Sequence, residues 1–146
     1  RGELILATKV TGPGHGWFRP PIRGGFTMLD RHQIHRACED SLKRLQTDYL
    51  DLYQLHWPNR GSYHFRQNWN YRPKTNRAGT LTHMEEVLRA AQAAVAAGKI
   101  RAVGLSNESV WGAAQWLRLP ERPATERIPY LWAVDADDRR QRVSVA

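Results

Sequence analysis

At 146 residues, with 41% hydrophobic and 10% aromatic content, the chain suits one ordinary folded domain and is not composed like a disordered segment. Its single cysteine, Cys38, excludes an internal disulfide, and no apolar stretch nears the roughly 20 residues of a membrane span, so a soluble protein of a reducing, cytoplasmic setting is expected. The net charge of +8 is uneven, with 13 Lys/Arg against 6 Asp/Glu from Arg1 to Arg77 and near balance thereafter, which turns attention to one loop rather than to the whole surface.

The chain opens on Arg1 and enters the apolar run "ELILATKV" almost at once, as an internal piece of a longer protein would. That run, Glu3 to Val10, ends at Gly12-Pro13-Gly14 and reads as a buried strand. A long Gly/Pro loop follows. It is not a phosphate cradle, because "WFRPP" stands where a helix N-terminus would have to supply the dipole and backbone donors. Asp30 then starts a helix as N-cap, with Gln33 completing a variant capping box and Ile34, Ala37, Cys38, Leu42 and Leu45 on one face. Tyr49 to Leu55 is the second strand, and it runs into His56, Trp57 and Pro58.

From Trp57 to Thr80 no period holds, so a long loop is expected. Between Arg60 and Arg77 it carries Arg60, Arg66, Arg72, Lys74 and Arg77 without an acid, interleaved with Tyr63, Phe65, Trp69 and Tyr71. Thr82 and Glu85 form a capping box for a second helix whose face is Met84, Val87, Leu88, Ala91 and Val95, ended by Gly98. "KIRAVGLSN" is a third strand, and Ser109 opens a third helix with Val110, Ala113, Ala114 and Leu117 on one side. Residues 120–146 differ in character; Tyr130 to Val134 is a candidate fourth strand, and nothing after it has helical amphipathicity.

Alternating strands and helices call for a parallel sheet covered by helices. In such sheets functional groups gather at the C-terminal ends of the strands, and here those ends carry Lys9, His56 and the pair Ser106-Asn107. Each alone could be a solvated strand tip, but three on one rim point to a site. The six histidines show no ligand-pair spacing, so no metal is expected, and Cys38 on an apolar helix face reads as structural.

"ELILATKV", "SLKRLQTDYLDLYQLHWP" and "AGKIRAVGLSNES", in that order, resemble the aldo-keto reductases, in particular the bacterial NADP(H)-dependent subgroup. The resemblance covers about residues 1–119, and it implies an α/β fold that is part of a (β/α)8 TIM barrel, about its third to fifth β/α units. It also implies NADPH-dependent reduction of aldehydes or ketones through an Asp, Tyr, Lys and His tetrad. Lys9 matches the lysine that stabilises the tyrosine phenolate, and His56 the histidine that bonds the substrate oxygen. Trp57 matches a wall of the substrate pocket, and Ser106 and Asn107 the pair that bonds the nicotinamide carboxamide.

The tetrad Asp and Tyr would fall before Arg1, and none of Tyr49, Tyr53, Tyr63, Tyr71 or Tyr130 occupies a matching position. Glu126-Arg127-Ile128 stands where the family has a glutamine beside the nicotinamide, and residues 120–146 read as an atypical tail, truncated or frame-disrupted. The expectation is an incomplete piece, inactive alone, with open sheet edges prone to self-association. Two alternatives stay open: a non-catalytic interaction piece, and nucleic-acid binding through the basic aromatic loop 60–77, the less favoured because basic aromatic loops also rim pockets for anionic cofactors.

Overall fold

The apolar runs become strands laid side by side in chain order. The computed structural model describes residues 4–14, 18–61, 72, 76–119, 131–134 and 140–141. β1 (Ala7–Val10), β2 (Leu50–Leu55), β3 (Ile100–Ser106) and β4 (Leu131–Val134) pair parallel in that order, and β5 (Arg140–Gln141) pairs antiparallel with β4. The helices between them are α1 (Arg31–Leu45), α2 (Arg77–Ala96) and α3 (Val110–Arg118). Parallel neighbours need a crossover, and a helix in each crossover covers the sheet. The candidate strand at the start of the tail is thus part of the sheet, as β4.

One sheet face makes the core. Val10, Tyr53, Leu55, Val103 and Leu105 pack against Ile34, Cys38 and Leu42 of α1 and Val87, Ala90, Ala91 and Ala94 of α2. Tyr53 is fully buried, and its hydroxyl donates to the Ile34 carbonyl at 3.3 Å, so this large side chain enters the core without an orphaned polar atom. Asp51 of β2 accepts from the Leu6 N–H, just before β1, at 2.9 Å and from Arg101 of β3 at 2.9 Å, tying its own strand to both neighbours.

The helix ends follow local chemistry, with two departures. Asp30 caps α1 by accepting from the Gln33 N–H at 2.7 Å. The reciprocal half of the capping box is missing: Gln33 is buried, and its Oε1 has no hydrogen-bond partner among the described residues. Gln46 closes α1 at φ 51, with Thr47 N–H donating to Leu42 O at 3.2 Å and Gln46 N–H to Lys43 O at 3.3 Å, the bond pair of a Schellman ending. A side-chain-bearing residue is strained in this left-handed conformation, and Gln46 is exposed. Gln46→Gly is therefore expected to raise stability by about 1 kcal/mol, read as a higher urea midpoint; a fall would mean that the glutamine side chain contributes more than the strain costs.

α2 begins earlier than the capping-box reading places it. Asn76, not Thr82, is the cap, its side chain accepting from Gly79 N–H at 2.9 Å, and Thr82 lies inside the helix with its hydroxyl on Ala78 O at 3.2 Å. Gly79 and the β-branched Thr80 and Thr82 hide the helical period of this first turn, but a capped turn continuous with an amphipathic helix forms regardless. Gly98, at φ 71, ends α2 as expected, with Lys99 N–H bonded to Ala94 O at 3.0 Å.

α3 is rotated relative to the expected apolar face. Val110 is 86% exposed and Leu117 45%, whereas Gly112 and Gln115 are buried and Ala113 and Trp116 lean on the core. The period of a nine-residue helix leaves its rotation open, and bonds outside the helix decide it, as the site below shows.

Candidate active site

Strand register assembles the candidate residues. Lys9 lies opposite Gln54, and Gln54 opposite Gly104, so these three share the sheet face opposite Tyr53; alternation carries His56 and Ser106 onto that face one pleat further along. The His56 N–H donates to Val10 O at 2.9 Å, which continues the β1–β2 ladder one residue past β2 and fixes the histidine backbone at the rim. Lys9 is exposed, and its ammonium charge is felt by the His56 ring. The lysine and histidine, 47 positions apart in the chain, therefore stand at one mouth of the sheet.

The His56 ring is half-buried, with its centroid 4.4 Å from that of Trp57 and the planes at 49°. Burial lowers its pKa below the ordinary 6.5, and the Lys9 charge lowers it further, so the imidazole is neutral at neutral pH. Among the described residues neither ring nitrogen has a hydrogen-bond partner, which leaves a neutral donor and acceptor facing the rim. His83 on α2 is also lowered, chiefly by burial. Above 6.5 both states hold these imidazoles neutral; below it the unfolded chain takes up protons first, so stability falls as pH drops toward the depressed folded values. The unfolding midpoint is expected to decline between about pH 7 and pH 5, and His83→Gln to make the decline shallower; a flat profile would contradict it.

The first residues after His56 are pinned by Trp57 and Asn59. Trp57 is only 5% exposed and donates its indole N–H to Pro13 O at 2.9 Å. Room for it explains Gly12: a Cβ there would sit 2.5 Å from Trp57 O and 2.7 Å from its Cδ1, whereas one on Gly14 would crowd Phe18 Cε2 at 2.8 Å and only touch the indole. Asn59 then clasps the backbone of Leu29, accepting at 2.7 Å and donating at 3.1 Å, with its amide 2.8 Å from His83 Nε2.

Ser106 and Asn107 end β3 beside this loop. Asn107 takes φ 52, and its amide donates to His56 O at 2.8 Å and to Ser106 Oγ at 3.1 Å. Glu108 follows, its carboxylate bonded to Arg60, to Ser109 N–H at 2.7 Å and to the Trp116 indole at 3.1 Å. Ser109 caps α3 by accepting from Gly112 N–H at 3.1 Å. The Glu108–Trp116 bond and the Arg60 guanidinium 5.4 Å from the Trp111 ring set the rotation of α3.

The structure thus brings Lys9, His56, Trp57, Ser106 and Asn107 together. The sequence model of the Aldo/keto reductase family matches residues 1–136. The chain belongs to the aldo/keto reductase family. Protein tas of Escherichia coli (strain K12) is 41% identical over 135 residues, covering 88% of this chain and 36% of that protein. The aldo-keto reductase YhdN of Bacillus subtilis (strain 168) is 36% identical over 110 residues, covering 75% of this chain and 25% of that protein. Aldo-keto reductase AKR11C1 from Bacillus halodurans, in its holo form, gives a TM-score of 0.57 at 27% identity over 91% of this chain and 35% of that one. An aldo/keto reductase from Klebsiella pneumoniae in complex with NADP and acetate gives 0.52 at 30% identity, over 82% of this chain and 30% of that one.

The chain of this oxidoreductase family therefore spans about a third of the length of the tas relative, and its parallel sheet with alternating helices is part of a (β/α)8 barrel. Among the described residues no helix is long and apolar enough to cross a membrane, and no three His, Cys, Asp or Glu side chains gather as metal ligands.

Arg60 and Glu108 are not singled out by sequence reasoning as a pair; Arg60 enters it only as the first cation of the basic loop. A faint signal exists in Glu108, a lone acid just before a helix start. Most of the basic aromatic run, residues 62–71 and 73–75, lies outside the described residues, as do 120–130, 135–139 and 142–146 of the tail.

Proposed function

We propose that this chain contributes the lysine and histidine side of a reductase site for NADPH-dependent reduction of small aldehydes and ketones in the cytoplasm, and that alone it does not turn over. The observation that carries this reading is the register that sets Lys9 and His56 on one face at one rim, with Ser106 and Asn107 on the adjoining strand end.

NADPH would be held at Ser106 and Asn107. Their chemistry suits a carboxamide: Ser106 Oγ accepts from Asn107 and retains its own proton to donate, and the Asn107 amide sits at the same rim. Bound there, the cofactor supplies a hydride. His56 offers a neutral N–H to the carbonyl oxygen and orients it, and the Lys9 ammonium adds positive potential where negative charge develops on that oxygen. Trp57 backs the histidine as the wall of the substrate pocket.

Neither described tyrosine stands at the rim as proton donor: Tyr49 lies just before β2, at the strand end opposite His56, with the Arg101 guanidinium over its ring. Tyr53 faces α1 with its hydroxyl on Ile34 O, and burial drives its pKa far up. Titration with NADPH, followed by quenching of tryptophan fluorescence, is expected to show saturable binding that Ser106→Ala weakens. NADPH oxidation with 4-nitrobenzaldehyde is expected to stay at background. Failure to bind NADPH at millimolar concentration would remove the reading, and turnover would remove its second half.

A further inference from the structure

We infer that Arg60 and Glu108 form a positioning pair, an ion pair that locks residues 56–60 after β2 to residues 106–109 after β3, so that the placements of His56 and of Ser106-Asn107 depend on one another. The inference rests on the roles proposed above for those residues. Arg60 stands four positions after His56 and Glu108 two after Ser106, so the pair bridges the two loops close to both halves of the site.

The side chains are 14% and 5% exposed, and a charge that far out of water persists only when it is paired and its remaining bonding positions are filled. Glu108 meets both conditions, and Arg60 meets the first. One carboxylate oxygen of Glu108 takes Arg60 and the Ser109 N–H at 2.7 Å; the other takes the Trp116 indole N–H at 3.1 Å. Arg60 Nη2 also reaches Ser109 Oγ at 3.5 Å, and the guanidinium lies 5.4 Å from the Trp111 ring centroid.

Gly112 shows that room has been left for the pair. A Cβ at this helical position would collide with both the Glu108 carboxylate and the Arg60 guanidinium. Glycine inside a helix is less stable than alanine, so α3 carries a penalty that makes sense as clearance.

A buried pair of this kind is close to neutral in stability against an apolar pair of the same size, and its directional bonds fix a geometry that apolar contacts would leave loose. A second tie crosses the same gap, the Asn107 amide on His56 O at 2.8 Å. With both in place residues 56–60 and 106–109 move as one body, and whatever seats Ser106 and Asn107 also seats His56.

The test uses the full chain, NADPH as probe, the NMR titration of the His56 ring and the thermal midpoint. Arg60→Met is expected to weaken NADPH binding by about tenfold and to move the His56 titration toward that of a free imidazole. Gly112→Ala, which keeps both charges, should give the same signature. The double variant Arg60→Met, Glu108→Gln should lose no more than about twofold beyond either single change.

A lowered thermal midpoint with the His56 titration and NADPH affinity unmoved would overturn the inference, leaving the pair a stability feature only. If the unsubstituted chain binds no NADPH, the cofactor reading fails, and the His56 titration alone decides: a shift in Arg60→Met supports the pair, none overturns it. Should Arg60→Met not fold, Arg60→Lys is read by the same criteria.

Discussion

Truncating Trp57 to alanine is expected to lower the unfolding free energy by about 3–5 kcal/mol, the range for emptying the space of a large buried aromatic side chain. The indole is almost fully buried, and its neighbours cannot close over the gap easily. Gly12 and Gly14 have no side chains to move in, and the Pro13 carbonyl loses its donor. The His56 ring loses the face it leans on. Less burial raises the His56 pKa back toward 6.5, so the variant should show a His56 titration closer to an ordinary imidazole as well as an earlier denaturant midpoint. Trp57→Phe separates the terms: it keeps most of the volume and removes the N–H, and about 1 kcal/mol is expected. Equal losses for the two variants would mean that the hydrogen bond to Pro13, rather than packing, holds the loop.

The second large effect is at Asn107. Asn107→Ala is expected to cost about 2–3 kcal/mol, since it leaves the His56 carbonyl without its amide donor and keeps a side chain at positive φ without local bonds to support it. Asn107→Gly relieves the backbone strain but not the lost bond, so about 1 kcal/mol is expected. Both should weaken NADPH binding. If glycine proved as harmful to folding as alanine, backbone strain would have no part in the effect. Chemical unfolding of the two variants beside the parent chain measures the difference.

How legible this was depended on distance along the chain. Asp30 and Ser109 could be placed as caps because a cap bonds an N–H three residues on, and Gly98 because a left-handed residue ends a helix locally. The strand tips Lys9, His56 and Ser106 could be placed because apolar runs stop there. The start of α2 was not legible, since Gly79 and two threonines blur the period of its first turn while Asn76 caps it. Nor was the rotation of α3, whose phase is set by Trp116 reaching Glu108 and by Arg60 over Trp111.

The amino-acid sequence by itself determined the alternation of strands and helices, their order and most of their ends, and which ionisable residues stand at strand tips, because those depend on periodicity and capping within a few residues. Tertiary structure alone decided that Trp57 is buried against Pro13, that Arg60 answers Glu108 across 48 positions, and that Lys9 acts on the His56 ring. Those facts arise only when parallel register sets distant residues side by side, and no local pattern encodes which cation a buried carboxylate will meet.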